Sequence, residues 1–393
     1  MILSKNDYKY YALALLAFLS IYPYFIWGYY GQAIIGVFFI FIFSQLLVFN
    51  KINTNKNTIL SFAFIFSLYI MYEVKNLELT TLLWGLIIAY FSVSSNVEIV
   101  KSFRILQKLI TYTLLPGAML WLFHILIGNN SVLHFFTLQP FNPVKQEYQI
   151  EFYSYIVSII PNYDVPSGFY RFLGIFEEPG VIGTVSALML IADKINLKVN
   201  KNKLLFLYGV ISFSLAFYGI IILYTVFFKI RKLKNVLIII LFLLSVSSYV
   251  ISNEFFKELI ISRLAIDKKS GFSGNNRATE YLDYMFEQWI SLSDIKIFLF
   301  GFDGVVNDGY SSLKQIPVEK GVLGLVVFFI FMLYLSIKSK ASKGHAKNSI
   351  LVFLIFLASV YQRPDFFSLY FILIYSYAII NHTVSYKKVL IND

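Results

Sequence analysis

Apolar residues in this chain fall in long unbroken runs, without the alternation of half-buried strands or the polar stripe of a soluble amphipathic helix. The runs cover roughly 8–27, 31–49, 58–72, 77–93, 108–127, 178–193, 235–252, 317–337, 349–361 and 366–383. A bilayer core is crossed by about 20 apolar residues of helix, with about 17 as the lower limit. Runs near that size predict membrane-spanning helices. The segment 203–228 is too long for one ordinary span and short for two.

Charge decides how that segment runs. Lys194, Lys198, Lys201 and Lys203 precede it and Lys229, Arg231, Lys232 and Lys234 follow it. Basic residues collect on the cytoplasmic side of membrane proteins, so both flanks belong inside and the segment goes out and comes back. Ser212, Ser214 and Gly219 mark where two half-length helices meet. The prediction is an all-α polytopic bundle of about 12 membrane segments, one a short broken hairpin, forming a single integral membrane domain (1–393) with both termini in the cytoplasm. Two outer loops are long, 128–177 and 253–316. Sorted by this alternation, the formal charge of +11 divides into +17 inside and −6 outside. Loops of that length are usually functional.

Composition agrees with the pattern: 58% of the 393 residues are hydrophobic and only 14% charged, and mean hydropathy is +0.70. A soluble domain carries about 25% charged residues. Soluble enzymes and nucleic-acid modules are excluded despite a pI near 9.3. Without cysteine there is no disulfide and no thiolate nucleophile. No small-residue cleavage site follows the first run, so Tyr10–Trp27 reads as a retained span. His-Glu-x-x-His, P-loop and Gly-x-Ser-x-Gly patterns are missing, and neither a metal nor a cofactor is expected.

Candidate chemistry gathers in the outer stretches. The first long loop runs Arg171…Gly174…Glu177-Glu178-Pro179 into a span. Glu178-Pro179 has the form of an acidic N-cap followed by proline at the first helical position. Arg171 lies where a guanidinium can meet a phosphate at the membrane surface. In the second loop Arg277 opens a helix whose Tyr281, Met285 and Trp289 share one face, which rests on the membrane or on the bundle. Asp303 and Asp308 lie in Asp-Gly turns, and Arg363-Pro364-Asp365 joins the last two spans.

A many-span chain with Arg171…Glu178-Pro179 ending its first long loop, then Arg277…Trp289…Leu299-Phe300-Gly301-Phe302-Asp303, then Glu319-Lys320-Gly321-Val322-Leu323-Gly324 opening a span, resembles the Wzy-type O-antigen and capsule repeat-unit polymerases. Their superfamily also includes the O-antigen ligases. The resemblance implies a metal-independent glycosyltransferase acting on undecaprenyl-diphosphate-linked oligosaccharides at the outer face of the bacterial cytoplasmic membrane. A flippase and a chain-length regulator are the protein partners it implies, and nucleic acid is not one. Carried onto this chain, Arg171, Glu178 and Arg277 are the expected catalytic residues, with Glu178 the first candidate to take a proton from the attacking sugar hydroxyl and Asp303 or Asp308 the next. Arg363, Asp303, Asp308 and Trp289 are the expected substrate-binding ones. The arginines match by their place in the loops. Some members carry Arg-x10-Gly, but the eleventh residue after Arg171 is Ile182 and after Arg277 is Gln288. The second loop contains no histidine of the kind associated with ligases, which favours polymerase over ligase. A polysaccharide flippase or transporter stays open as a reading of another class.

Overall fold

The computed structural model describes residues 5–27, 36–37, 40, 44, 55–127, 136–140, 151–155, 158–161, 170–229, 266–267, 271–272, 280–291, 294–305, 312–339 and 346–383. The expected span 235–252, nearly all of 31–49, and the candidate residues Arg277 and Asp308 lie outside these.

The described chain is mostly helical: α1 (Lys5–Leu19), α2 (Lys56–Tyr72), α3 (Leu79–Val93), α4 (Asn96–Ile127), α5 (Pro179–Ala192), α6 (Asn200–Ile211), α7 (Leu215–Tyr224), α8 (Glu280–Ser291), α9 (Ile295–Phe300), α10 (Gln315–Ser339), α11 (Ala346–Gln362) and α12 (Leu369–Thr383). At the centre stands α12, buried along its whole length. It packs on α1, α3, α4, α5, α10 and α11. The Phe103 ring of α4 stacks on Tyr377 of α12 at 3.8 Å between centroids.

Helices of the outer ring are apolar on both faces. In α10, Val327, Phe328, Phe331 and Leu335 are buried while Val326, Phe329, Ile330, Leu333 and Ile337 are exposed. In α4 the exposed residues include Tyr112, Met119, Leu122, Phe123 and Leu126. A water-facing helix would carry polar residues there. By length and composition α4 and α10 are the two described helices able to cross a membrane, and the other apolar helices have 10–17 residues. The expectation of about 12 membrane segments thus meets two helices of full spanning length. Helix α4 also begins well before the apolar run 108–127. The Ser95 amide bonds Glu98 Oε2 at 2.8 Å, and the Glu98 amide bonds Ser95 Oγ at 3.4 Å, a capping box that starts the helix within a charged stretch.

Between 200 and 229 the chain turns back. Asn202, at the start of α6, donates to Asp193 at the end of α5 (2.7 Å). The break at Ser212–Ser214, with Phe213 at φ 46°, lies against Gly183 near the start of α5. A Cβ on Gly183 would fall 2.2 Å from Ser214 Cβ. Downstream of α7, Phe228 reaches the His382 ring at 4.8 Å, and His382 contacts the Ile191 carbonyl at 3.0 Å. Helices α6 and α7 therefore run up and down beside α5.

The first long loop departs from the all-α expectation. Strands β1 (Phe136–Leu138), β2 (Phe152–Tyr155) and β3 (Ser158–Pro161) form an antiparallel sheet in that order, with Thr137 opposite Tyr153 and Tyr153 opposite Ile160. Residues 266–267 and 271–272 form a second, two-residue ladder, β4 and β5. Strands this short carry too few residues for a period-2 pattern to register.

Ion pairs fall into two groups. Lys9–Glu98 and Arg104–Asp193 lie at one end of the bundle, and Lys75–Asp303, Lys314–Asp283, Lys320–Glu73 and Arg363–Glu178 at the other. Gly321 (φ 65°, ψ −163°) breaks the helical path of α10, but from Val322 to Lys338, whose Nζ donates to the Ser92 and Ser94 carbonyls near Glu98, it rises about 24 Å, so the two ends are well separated. None of these six pairs joins one end to the other.

Candidate functional site

At the Arg363 end, the segment 170–176 is fixed from four sides before it enters α5. Trp121 Nε1 donates to the Tyr170 carbonyl (2.8 Å), and the Phe172 amide to the Ile211 carbonyl (3.2 Å). The Ile159 amide of β3 donates to Gly174 (2.7 Å) and the Tyr24 amide to Ile175 (2.8 Å). Gly174 has φ 54°, and a Cβ there would meet Leu114 Cδ2 at 2.5 Å, so the close approach to α4 needs glycine.

Arg171 is engaged with backbone. Its Nε donates to the Ser212 carbonyl and a terminal nitrogen to the Phe213 carbonyl, each at 3.0 Å. These carbonyls lie in the turn that ends α6, and a cationic fork there satisfies two acceptors that the helix leaves open.

Glu178 is the N-cap residue of α5 with Pro179 after it, as the sequence predicts, but its side chain caps no amide. The carboxylate instead pairs with Arg363. Arg363 sits where α11 ends, its amide still bonded to the Ser359 carbonyl (3.1 Å), and Pro364 cannot continue the helix. The side chain is 14% exposed and that of Glu178 27%. Burial lowers the pKa of Arg363, but Glu178, Asp365 and Tyr370 raise it and prevail. The guanidinium is a fixed cation in a poorly hydrated place.

A second pair stands next to the first. Lys320 Nζ lies 2.6 Å from Glu73 Oε2 and 5.0 Å from the centre of the Tyr72 ring. Tyr72 lies in the field of Glu73, Glu319 and Asp365, and its ring contacts Phe366 at 5.4 Å. The Lys320–Glu73 pair therefore rests on an aromatic floor, in which Phe366 also meets Phe328 at 4.7 Å and Phe367 meets Phe331 at 4.6 Å, and Asp365, whose field reaches both Tyr72 and Arg363, links it to the first pair. Such a floor excludes water and strengthens the electrostatics above it.

Lys75, in the turn between α2 and α3, ties the second long loop to this cluster. Its Nζ donates to the Gly301 and Phe302 carbonyls at 2.8 and 2.9 Å and pairs with Asp303 at 2.9 Å. The hydrogen bond and charge of Lys75, helped by Lys296, hold the Asp303 carboxyl below its usual pKa. Two glycines let the strands of this loop cross α10. Gly301 (φ 77°) lies on Glu319, and Gly321 (φ 65°) lies on Leu299, whose carbonyl oxygen would be 2.3 Å from an added Cβ. The Phe302 amide donates to Val318 at 2.8 Å across the same crossing.

Of the residues expected from the sequence, the structure thus joins Glu178 and Arg363 directly and places Asp303 on the rim, its side chain 76% exposed. Arg171 holds the α6–α7 turn. Trp289 is buried, stacked on Phe298 at 5.3 Å and Phe286 at 5.9 Å, with Nε1 donating to the Phe298 carbonyl. It builds the α8–α9 corner and presents no open face for a sugar. Glu73, Lys75 and Lys320 were not expected. The signal for them is charge in the short turn 73–78 and in the quoted Glu319-Lys320-Gly321.

The opposite end holds a closed network. Asp193 is bonded to Arg104 (2.9 Å), Asn202 (2.7 Å) and Tyr377 (3.2 Å), and Asn202 also accepts from Gln107 (2.7 Å). This ties α4, α5, α6 and α12 together. His124 is buried in α4 with its ring edge-on to Tyr155 at 5.1 Å. Among the described residues no three His, Asp or Glu converge as metal ligands.

The Arg363 end therefore brings together two cations, each paired with a carboxylate, with Asp365 and Glu319 beside them. No family model, curated protein or solved structure matches the chain.

Proposed function

We propose that this chain is a repeat-unit polymerase of the bacterial cytoplasmic membrane, building O-antigen or capsular polysaccharide from undecaprenyl-diphosphate-linked oligosaccharides. The resemblance of the quoted motifs to the Wzy-type polymerases supports this reading. So do the apolar outer faces of α4 and α10, which suit lipid, and the sorting of ion pairs by end, which follows the inside–outside alternation read from charge. On this reading the helices form a multi-pass bundle with the Arg363 end outward and both termini inward.

The observation that carries the proposal is the Arg363–Glu178 pair, linked through Asp365 to the Lys320–Glu73 pair on its aromatic floor. In the proposed reaction the acceptor sugar hydroxyl attacks the anomeric carbon of the growing chain. The bond from that carbon to the diphosphate oxygen breaks, and the diphosphate leaves with the electron pair. Arg363 and Lys320 stabilise the charge that develops on it, and Glu178 takes the hydroxyl proton. Arg171 serves as a positioning residue, holding the α6–α7 turn beside α5.

The test is extension of lipid-linked repeat units by the purified chain in vesicles, with product length read on a gel. Long products expected from the intact chain shorten to single units with Arg363→Ala. In cells, loss of the chain leaves single repeat units on the outer face. Loss of even the single unit there identifies a flippase and rejects the proposal.

A further inference from the structure

The second long loop carries an apolar helix that the bundle does not cover. Helix α9, Ile-Lys-Ile-Phe-Leu-Phe, has no buried residue. Ile295 is 72% exposed and Phe298 40%, with Leu299 and Phe300 close to that. The neighbouring α8 behaves in the opposite way. Its Leu282 is buried against Val318 of α10, and its Trp289 is closed off by Phe298. Of the amphipathic face predicted from Tyr281, Met285 and Trp289, Met285 and Trp289 rest on the bundle while Tyr281 stays exposed, as does the whole of the adjoining α9 apart from the half-buried Ile297.

We infer that α9 is a membrane finger whose apolar side chains sit among the acyl chains of the outer leaflet. The occupant follows from where α9 is held. Its C-terminal backbone, Leu299 and Phe300, lies on Gly321, one residue before the uncharged run 322–337 of α10. The exposed apolar stripe of α10 begins at Val326, so the surface of α9 continues a surface already suited to lipid. Lys75 pins its end at Gly301 and Phe302, and Asp294 caps its start by accepting from the Lys296 amide at 2.8 Å. Both ends are fixed in polar surroundings, and between them the exposed Lys296, near Asp303, is the one charge among apolar residues, a long side chain able to reach the polar interface while Ile295, Phe298, Leu299 and Phe300 enter lipid.

The finger also reaches the charged cluster directly, since the residues after it, 301–303, are those bound by Lys75. This inference rests on the membrane reading of the proposed function, and its test separates the two.

The chain lacks cysteine, so single cysteines report without background. Spin labels are placed at Ile295→Cys, at Leu333→Cys on the exposed stripe of α10, and at Glu280→Cys as the aqueous reference, in the full chain in phospholipid vesicles. Collision with dissolved oxygen, which partitions into lipid, is compared with collision with a water-soluble nickel chelate. At Ile295 oxygen collisions are expected to exceed nickel collisions, as at Leu333 and in reverse of Glu280. If Leu333 is lipid-like and Ile295 matches Glu280, α9 faces water and the inference is overturned while the membrane reading stands. If Leu333 itself matches Glu280, the membrane reading fails and takes the inference with it.

Discussion

Arg363 and Glu178, 185 positions apart in the chain, meet as an ion pair where α11 ends and α5 begins. Both side chains are more than two-thirds buried, so removing one leaves the other uncompensated. Arg363→Ala is expected to lower folding stability by on the order of 3 kcal/mol and polymer formation by about 10²–10³-fold. Arg363→Lys keeps the charge but loses the planar fork, and should recover stability better than activity. The exchanged pair Glu178→Arg with Arg363→Glu separates the two roles. Its melting temperature should return toward the native value, while chain extension stays absent because cation and base have changed places.

Gly321 and Gly304 share a positive φ, 65° and 66°, but not the same surroundings. A Cβ on Gly321 would collide with Leu299 backbone, whereas Gly304 has open space. Gly304→Ala should cost only the left-handed penalty, about 1–2 kcal/mol. Gly321→Ala must also push apart the crossing of 299–302 with α10 and should cost clearly more. Thermal unfolding of the two variants in vesicles checks the order. Equal melting temperatures would mean that the crossing is loose.

Arg171 is spent on carbonyls, and that separates it from Arg363. Lysine at 171 cannot donate to Ser212 and Phe213 in one plane, so Arg171→Lys should lose about 1–3 kcal/mol. Turnover per folded molecule should change far less than for Arg363→Lys. A fall in turnover as large as that of Arg363→Lys, at unchanged stability, would return Arg171 to the group that touches the diphosphate.

Asp303 gives a pH signature. Its folded pKa lies below the ordinary 3.8 because Lys75 bonds and attracts the carboxylate. A depressed carboxylate contributes stability that is present above the unfolded pKa and lost as pH falls through the folded one. The tie between 301–303 and Lys75 should therefore hold at neutral pH and through ordinary aspartate titration, and release only in stronger acid. Hydrogen exchange at the loop amides measures it, and Asp303→Asn should exchange faster at neutral pH and lose the acid step.

Much of the bundle is legible in the sequence because apolar runs and charge flanks are local signals. The start of α5 at Glu178-Pro179 and the break at Ser212–Ser214 can both be read that way. The partner of Glu178 cannot. A carboxylate at an N-cap predicts a bond to its own helix, and nothing near residue 178 announces Arg363. Lys75 and Lys320 read as ordinary flanking charges until the fold brings 73–75, 301–303 and 319–321 together. Trp289 shows the same limit from the other side. Helical spacing places it on an apolar face, but only the turn into α9 covers that face with Phe298. The sheet 136–161 and the early start of α4 escape hydropathy because neither is an apolar run.

Helix α12 touches both polar ends of the molecule. Tyr370 in its first turn, with Asp365 in the link before it, acts on Arg363, while Tyr377 and His382 further along contact Asp193 and the Ile191 carbonyl. Closed in on every side, it has no room to slide or turn. It works as a spacer that fixes the phase between the two ends. One residue inserted near its middle would rotate everything beyond by about 100° and advance it by about 1.5 Å, so that only one end at a time could find its partners. With α5, which runs from Glu178 at one end to Asp193 at the other, α12 fixes the distance between the two polar ends, and a change of length in either must be answered by the other.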